Sequence, residues 1–168
     1  MPLFYHFLAG QQTYLPPAMC LIAPYVNSYR RLVPNGAAPI NVEWGYDNRS
    51  AGLRVPVSPA GARRVENRLA GADSNPYLAL AASLACGYLG MKNALEPRPA
   101  IVGNAYRNDH QLPRGLLEAL TDFEESTALH DVLDKRFCHV YLQLKRSEFE
   151  EFMRVISPWE REHLLLSV

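Results

Sequence analysis

Cysteine is scarce in this chain. Cys20, Cys86 and Cys138 are scattered through 168 residues. An odd, widely spaced set argues against a disulfide framework or a paired-cysteine metal site and fits reduced thiols in the cytoplasm. The five histidines show no zinc spacing, and His6, His130 and His139 read as packing or surface residues. No charge of one sign dominates. Lys plus Arg and Asp plus Glu stand at 17 each, so no global field selects nucleic acid. No apolar run reaches the roughly 20 residues of a membrane helix, and no membrane partner is expected. Met1-Pro2-Leu3 lacks the basic region, apolar run and cleavage site of a signal peptide. Internal repeats and low-complexity segments are absent as well. What remains is enough chain for one buried core.

Proline and glycine punctuate the pattern. Phe4 to Tyr14 reads as a helix, stopped by Pro16-Pro17, because proline lacks the amide donor and clashes inside a helix. Ala18 to Ala23 fits a second short helix, and Asn35-Gly36 a turn. Residues 40–47, 52–56 and 63–70 read as strands. Asp73 or Ser74 is the expected cap of the next helix, with Pro76 in its first turn. Tyr77 to Leu95 is apolar nearly all round, which predicts a buried helix. Leu116 to Phe123, Ala128 to Phe137 and Val140 to Ile156 read as amphipathic helices, and Ser157-Pro158-Trp159-Glu160 starts a last one. Strands followed by helices predict an α+β fold, with antiparallel strands flanked by helices.

The densest chemistry lies in Arg63-Arg64-Val65-Glu66-Asn67-Arg68-Leu69. In a strand, alternate side chains share a face. Arg64, Glu66 and Arg68 then line one face, while Val65 and Leu69 reach a core on the other. Two guanidiniums flanking a carboxylate suit an anionic substrate and a metal ion. The plain alternative is a solvated strand with ordinary surface ion pairs.

Further motifs stand in series with this one. Asn27-Ser28-Tyr29-Arg30-Arg31-Leu32-Val33-Pro34 precedes Ala38-Pro39. Trp44-Gly45-Tyr46-Asp47-Asn48-Arg49-Ser50 and Leu53-Arg54-Val55-Pro56 follow, and Gly71-Ala72-Asp73-Ser74-Asn75-Pro76-Tyr77 closes the set. In this order the series resembles the C-terminal catalytic portion of the glutamine synthetase family, over residues 5–168. The tail Ile156-Ser157-Pro158-Trp159-Glu160-Arg161-Glu162 and Ala38-Pro39 are most similar to the γ-glutamylpolyamine (γ-glutamylputrescine) synthetase branch.

That resemblance implies an ATP-dependent ligase joining the γ-carboxylate of glutamate to an amine through a γ-glutamyl phosphate. It implies Arg31 and Arg68 on the glutamate substrate, and Arg49 beside the transferred phosphate. Arg54 and Arg64 fall to ATP, with Arg63 as the alternative to Arg64. Glu66 becomes a ligand to Mg²⁺ or Mn²⁺. Arginine suits such work because its planar fork grips carboxylate or phosphate in bidentate fashion.

Two departures stand out. Ammonia-using members carry a glutamate just before Ala-Pro, where this chain has Ala37. Alanine can neither attract ammonium nor accept its proton, so an organic amine is expected over ammonia. Gly61 stands where many bacterial members have a nucleotide-contacting lysine. The resemblance also implies an N-terminal β-grasp domain and upstream metal-binding segments outside residues 1–168. Alone, the chain is therefore expected to be inactive, completed by a missing N-terminal half or by full-length subunits. A homo-oligomer is expected, associating through Phe4, Tyr5, Phe7 and Tyr14. The alternative is a non-catalytic remnant that assembles with full-length relatives.

Overall fold

A computed structural model describes residues 2–34 and 36–165. The Asn35 half of the expected turn lies outside the described residues; Gly36 N donates to Val33 O at 3.1 Å. The chain opens with α1 (Pro2–Tyr14) and α2 (Met19–Ile22), then a 3-10 turn at Val26–Arg31. Three short strands follow: β1 (Trp44–Tyr46), β2 (Leu53–Val55) and β3 (Glu66–Asn67). The rest is helical: α3 (Pro76–Lys92), α4 (Leu116–Glu125), α5 (Thr127–Leu133), α6 (Lys135–Met153) and α7 (Pro158–His163). A small sheet set between two helices and a longer helical run gives the expected α+β class.

The sheet is mixed rather than wholly antiparallel. β2 and β3 run antiparallel, with Arg54 opposite Glu66, but β1 and β2 run parallel, with Gly45 opposite Arg54. A buried asparagine accounts for this. Asn41 Oδ1 accepts from Glu43 N and Gly52 N, both at 3.1 Å. Its amide donates to Ser50 O and Ala105 O. The clasp ties Glu43, just before β1, to Ser50 and Gly52, just before β2, so the chain re-enters beside β1 in the same direction. Asp47 takes the tight corner at φ 47°.

The strands are shorter than the sequence pattern suggests. Residues 40–43 form no ladder: Ile40 and Asn41 lie in a bend, Ile40 O takes Gln111 N, Glu43 O takes Leu53 N, and Val42 bonds to side chains. Gln111 Oε1 accepts from Val42 N at 3.0 Å, and Gln12 Nε2 donates to Val42 O at 3.1 Å. Past Asn67 one more cross-strand bond forms, Arg68 N to Gly52 O at 2.9 Å, and Asn67 Oδ1 then takes Leu69 N.

Helix α1 lies directly on α3. A Cβ at Gly10 would collide with Cys86 O and Gly90, and one at Gly90 with His6 O. These glycines let the two backbones touch. The core runs from Leu8, Leu15 and Met19 through Leu53 and Leu69 to Leu120, Phe123 and Leu129.

Helix α3 departs from two expectations. Its cap is Asn75, whose side chain accepts from Tyr77 N at 3.0 Å, not Asp73 or Ser74. Nor is it buried all round. Ala82, Ala85, Cys86 and Leu89 are buried, but Tyr77, Leu80, Leu84 and Tyr88 form an exposed stripe. The aromatic segment of α1 behaves in the opposite way. Phe4, Tyr5 and Tyr14 pack on the core, and Phe7 lies against Gly87. The self-association surface expected there is largely turned inward. At the far end, Asp134 in a positive-φ conformation separates α5 from α6 and caps α6 by accepting from Phe137 N at 2.9 Å. Ser157 and Glu160 form a capping box on α7. The three cysteines are buried and unpaired. Among the described residues no helix is long and apolar enough to cross a membrane.

Candidate active site

The period-two reading of residues 64–69 holds in space. Arg64 and Glu66 are exposed and Arg68 partly so, while Leu69 is buried and Val65 packs on the core. Strand pairing then assembles the charge. Arg54 lies opposite Glu66 on β2, and its Nη1 donates to Glu66 Oε2 at 2.8 Å. Its Nη2 donates to Asp47 Oδ1, also at 2.8 Å. These two carboxylates hold the Arg54 guanidinium above its ordinary pKa. Its Nε is buried without a partner. A cross-strand pair of this kind adds little stability at an exposed face, so its main effect is to fix the fork's direction.

A second group forms around Arg31 and Arg68. Arg31 closes the 3-10 turn at Val26–Arg31 and donates through Nη2 to Leu69 O. Burial pulls its pKa below the usual arginine value, and the nearby Asp73 carboxylate opposes that pull. Arg68 N donates to Gly52 O at 2.9 Å, which places its side chain over the sheet end. Its guanidinium reaches Ala51 O and Ala37 O, both at 3.5 Å. The Ala37 loop is gripped from its other side by Tyr106, whose hydroxyl lies 2.8 Å from Gly36 O and 3.3 Å from Ala38 O.

The remaining candidates are more peripheral. Arg49 is exposed on the 47–52 connection, beside a cavity of about 350 Å³ lined by Asp47, Asn48, Ile101, Val102 and Gly103. Arg64 is exposed and its Nη1 lies 3.3 Å from Ala62 O. Its rival Arg63 stacks over the Phe4 ring at 5.4 Å. Gly61 has open space around it, room that a longer side chain would fill without collision.

Sequence reasoning missed Asp47 and Tyr106 as parts of this site. Asp47 reads as the end of a strand, and nothing local links it to Arg54. The larger cavity, about 810 Å³ between the Val26–Arg31 turn and α4, borders Arg30, Arg114 and Asp122. It lies outside the arginine face.

Metal binding needs more than this face provides. Among the described residues, no three His, Cys, Asp or Glu side chains come together as a metal-binding group. Glu66 offers one oxygen-ligand side chain and already shares it with Arg54. The described residues do not by themselves make a divalent-metal centre.

The chain belongs to the glutamine synthetase family: the model of the glutamine synthetase catalytic domain matches residues 2–164. Over 165 residues it is 40% identical to the γ-glutamylputrescine synthetase PuuA of Escherichia coli, covering 98% of this chain and 35% of that protein. It is 38% identical over 160 residues to the glutamate–isopropylamine ligase of a Pseudomonas species, covering 93% and 35%. A γ-glutamylethanolamide synthetase of Streptomyces coelicolor is 40% identical over 156 residues, covering 92% and 34%. A solved ligand-free structure of GmaS superposes with a TM-score of 0.87 at 30% identity, over 98% of this chain and 38% of that one. The chain thus spans about a third of the length of the curated relatives it matches.

Proposed function

We propose that this chain is the C-terminal catalytic portion of an ATP-dependent ligase that joins the γ-carboxylate of glutamate to an organic amine. A carboxylate oxygen of glutamate attacks the terminal phosphorus of ATP, and ADP leaves. The amine nitrogen then attacks the acyl carbon, phosphate departs, and the amine gives up a proton. Both steps develop negative charge on phosphoryl oxygens, so positioned cations lower the barrier.

Arg31 and Arg68 bind the glutamate carboxylates. Arg54 and Arg64 bind ATP, and Arg49 steadies the phosphoryl group in transfer. Glu66 supplies one oxygen ligand to Mg²⁺ or Mn²⁺; the other ligands come from outside the described residues. Turnover therefore depends on polypeptide outside residues 1–168, an N-terminal half with a β-grasp domain, or on full-length subunits in an oligomer. The observation that carries this reading is the Arg54–Glu66 pair on one sheet face with Arg68 reaching the Ala37 loop. The amine preference rests on Ala37 itself, a methyl group where an ammonium-binding carboxylate would stand. Relatives named for putrescine, isopropylamine and ethanolamide point the same way.

The test is phosphate release from ATP with glutamate and amine. The chain alone should be silent, and adding the upstream two thirds of a relative should restore turnover. Robust turnover by the chain alone contradicts the proposal. The second reading, a non-catalytic partner of full-length relatives, is favoured by the exposed stripe Tyr77, Leu80, Leu84 and Tyr88. It predicts co-assembly without any gain in turnover.

A further inference from the structure

Asp73 has an unexpected place. It sits ahead of a helix as a capping residue would, yet Asn75 caps that helix. Asp73 Oδ2 instead accepts from the hydroxyl of Ser28 at 2.5 Å, across 45 residues of chain. Ser28 is buried at 2% exposure, and its Oγ also accepts from Tyr25 N at 3.0 Å, closing the start of the turn that ends in Arg31. One serine thereby ties the Arg31 turn to the Gly71–Asn75 segment.

The other carboxylate oxygen faces Arg31. An ideal Cβ built on Gly71 would overlap Asp73 Oδ1 and lie 3.0 Å from Arg31 Nε and 3.1 Å from its Nη2. Carboxylate and guanidinium thus approach the same bare glycine, and no side chain fits between them. Arg31 Nε is buried with no hydrogen-bond partner, and Nη2 is held on Leu69 O. The guanidinium carries a desolvation cost that a facing negative charge offsets. Nη1 has no hydrogen bond among the described residues.

We propose that Asp73, held by Ser28, is a positioning residue for Arg31. Its charge keeps the half-buried guanidinium in one orientation, with Nε and Nη2 turned to the protein and Nη1 left for a ligand carboxylate. Gly71 is the permissive element, because any side chain there would wedge the two groups apart. In its bearing on catalysis the inference rests on the reading of Arg31 as a glutamate-binding residue; the Asp73–Arg31 coupling itself does not.

The coupling is read on this chain by nitrogen-15 NMR of arginine Nε–H groups, with Arg31→Lys assigning the Arg31 signal. Asp73→Asn should shift that signal and speed its hydrogen exchange by about tenfold. Ser28→Ala should do the same more weakly. Arg54, held by Glu66 and Asp47, is the internal control and should not move. If Asp73→Asn does not fold, Ser28→Ala decides the question. An Arg31 signal unchanged in the folded variant overturns the proposal, as does an equal change at Arg54, which would mark a general loosening.

Where the upstream polypeptide restores turnover, Asp73→Asn should raise the KM for glutamate by about tenfold. kcat and the KM for ATP should stay within about twofold. If Arg31→Lys raises the glutamate KM and Asp73→Asn does not, the positioning role is wrong and the ligase reading stands. If Arg31→Lys leaves the glutamate KM alone, the ligase reading fails, and the NMR coupling is judged separately.

Discussion

The segment of residues 40–75 and the helices that follow it are built on different principles. In the first, polar side chains hold the backbone in place. Asn41 is fully buried and makes four hydrogen bonds to backbone groups. Glu43 is nearly buried between Gln111 at 2.8 Å and Arg98 at 3.4 Å. In the second, α4, α5 and α6 close over Leu120, Phe123, Leu129 and Leu142 in an ordinary apolar core. The contrast shows where precision is needed. Hydrophobic burial is non-directional and holds helices together, whereas hydrogen bonds fix angles and so aim a set of arginines.

Two core substitutions test whether the polar region is as deeply anchored as the apolar one. Asn41→Ala leaves several buried backbone groups unpaired, at about 1–3 kcal/mol each, and should cost about 3–5 kcal/mol in all. Phe123→Ala should cost about 3–5 kcal/mol through cavity formation. Chemical denaturation compares them. A loss below about 1 kcal/mol for Asn41→Ala would dissolve the distinction between the two regions.

The same contrast explains what the sequence reveals and what it hides. Helices announce themselves through local spacing and caps, so α1, α3, α4 and α7 fall close to their expected places. The period-two pattern at residues 64–69 likewise gives the correct faces. The parallel pairing of β1 and β2 does not show, because it depends on Asn41 reaching Gly52 and Ala105 across the fold. Arg54's second carboxylate and the grip of Tyr106 on the Ala37 loop are hidden for the same reason. Motif order makes the arginines recognisable, while the partners of Arg54, Arg68 and Arg31 depend on contacts of 7 to 38 residues' separation. The exposed stripe on α3 escapes detection because a helix apolar all round gives no sign of which face is covered.

Surface variants sharpen the comparison from the helical side. Leu80→Ser with Leu84→Ser should change stability by no more than about 1 kcal/mol, since both side chains are exposed. If that stripe is an interface, the pair should also abolish self-association in sedimentation. Unchanged association would place the contact elsewhere.

On the sheet side, Glu66→Gln should cost less than about 1 kcal/mol. The pair with Arg54 is largely exposed, and Arg54 keeps Asp47. Complemented turnover should fall far more than stability. Equal losses in melting temperature and in turnover would mean that Glu66 is structural.

The smallest expected effect is a pH dependence at Asp122. Burial first, then the charges of Glu118 and Glu125, raise its carboxyl above the ordinary aspartate value. A raised carboxyl binds its proton more tightly when folded. Its unfavourable contribution is therefore absent at pH below the unfolded value of about 3.9 and grows as pH rises through the folded value. Asp122→Asn should remove that slope and raise the melting temperature slightly at neutral pH. A variant less stable at pH 7 than at pH 3, relative to the parent chain, contradicts the assignment.

The proposed role of the arginine face is that of an amine ligase whose acceptor is chosen at Ala37. It is tested most directly by the ratio of kcat/KM for putrescine to that for ammonia, measured in the complemented enzyme before and after Ala37→Glu. Tyr106 and Arg68 hold the loop through backbone carbonyls that Ala37→Glu retains, so the substitution should change the acceptor site and not its frame. The parent chain should prefer the organic amine, and the variant should swing by about tenfold or more toward ammonia, the effect of one well-placed charge. A parent chain that prefers ammonia, or a ratio that Ala37→Glu leaves unmoved, would contradict it.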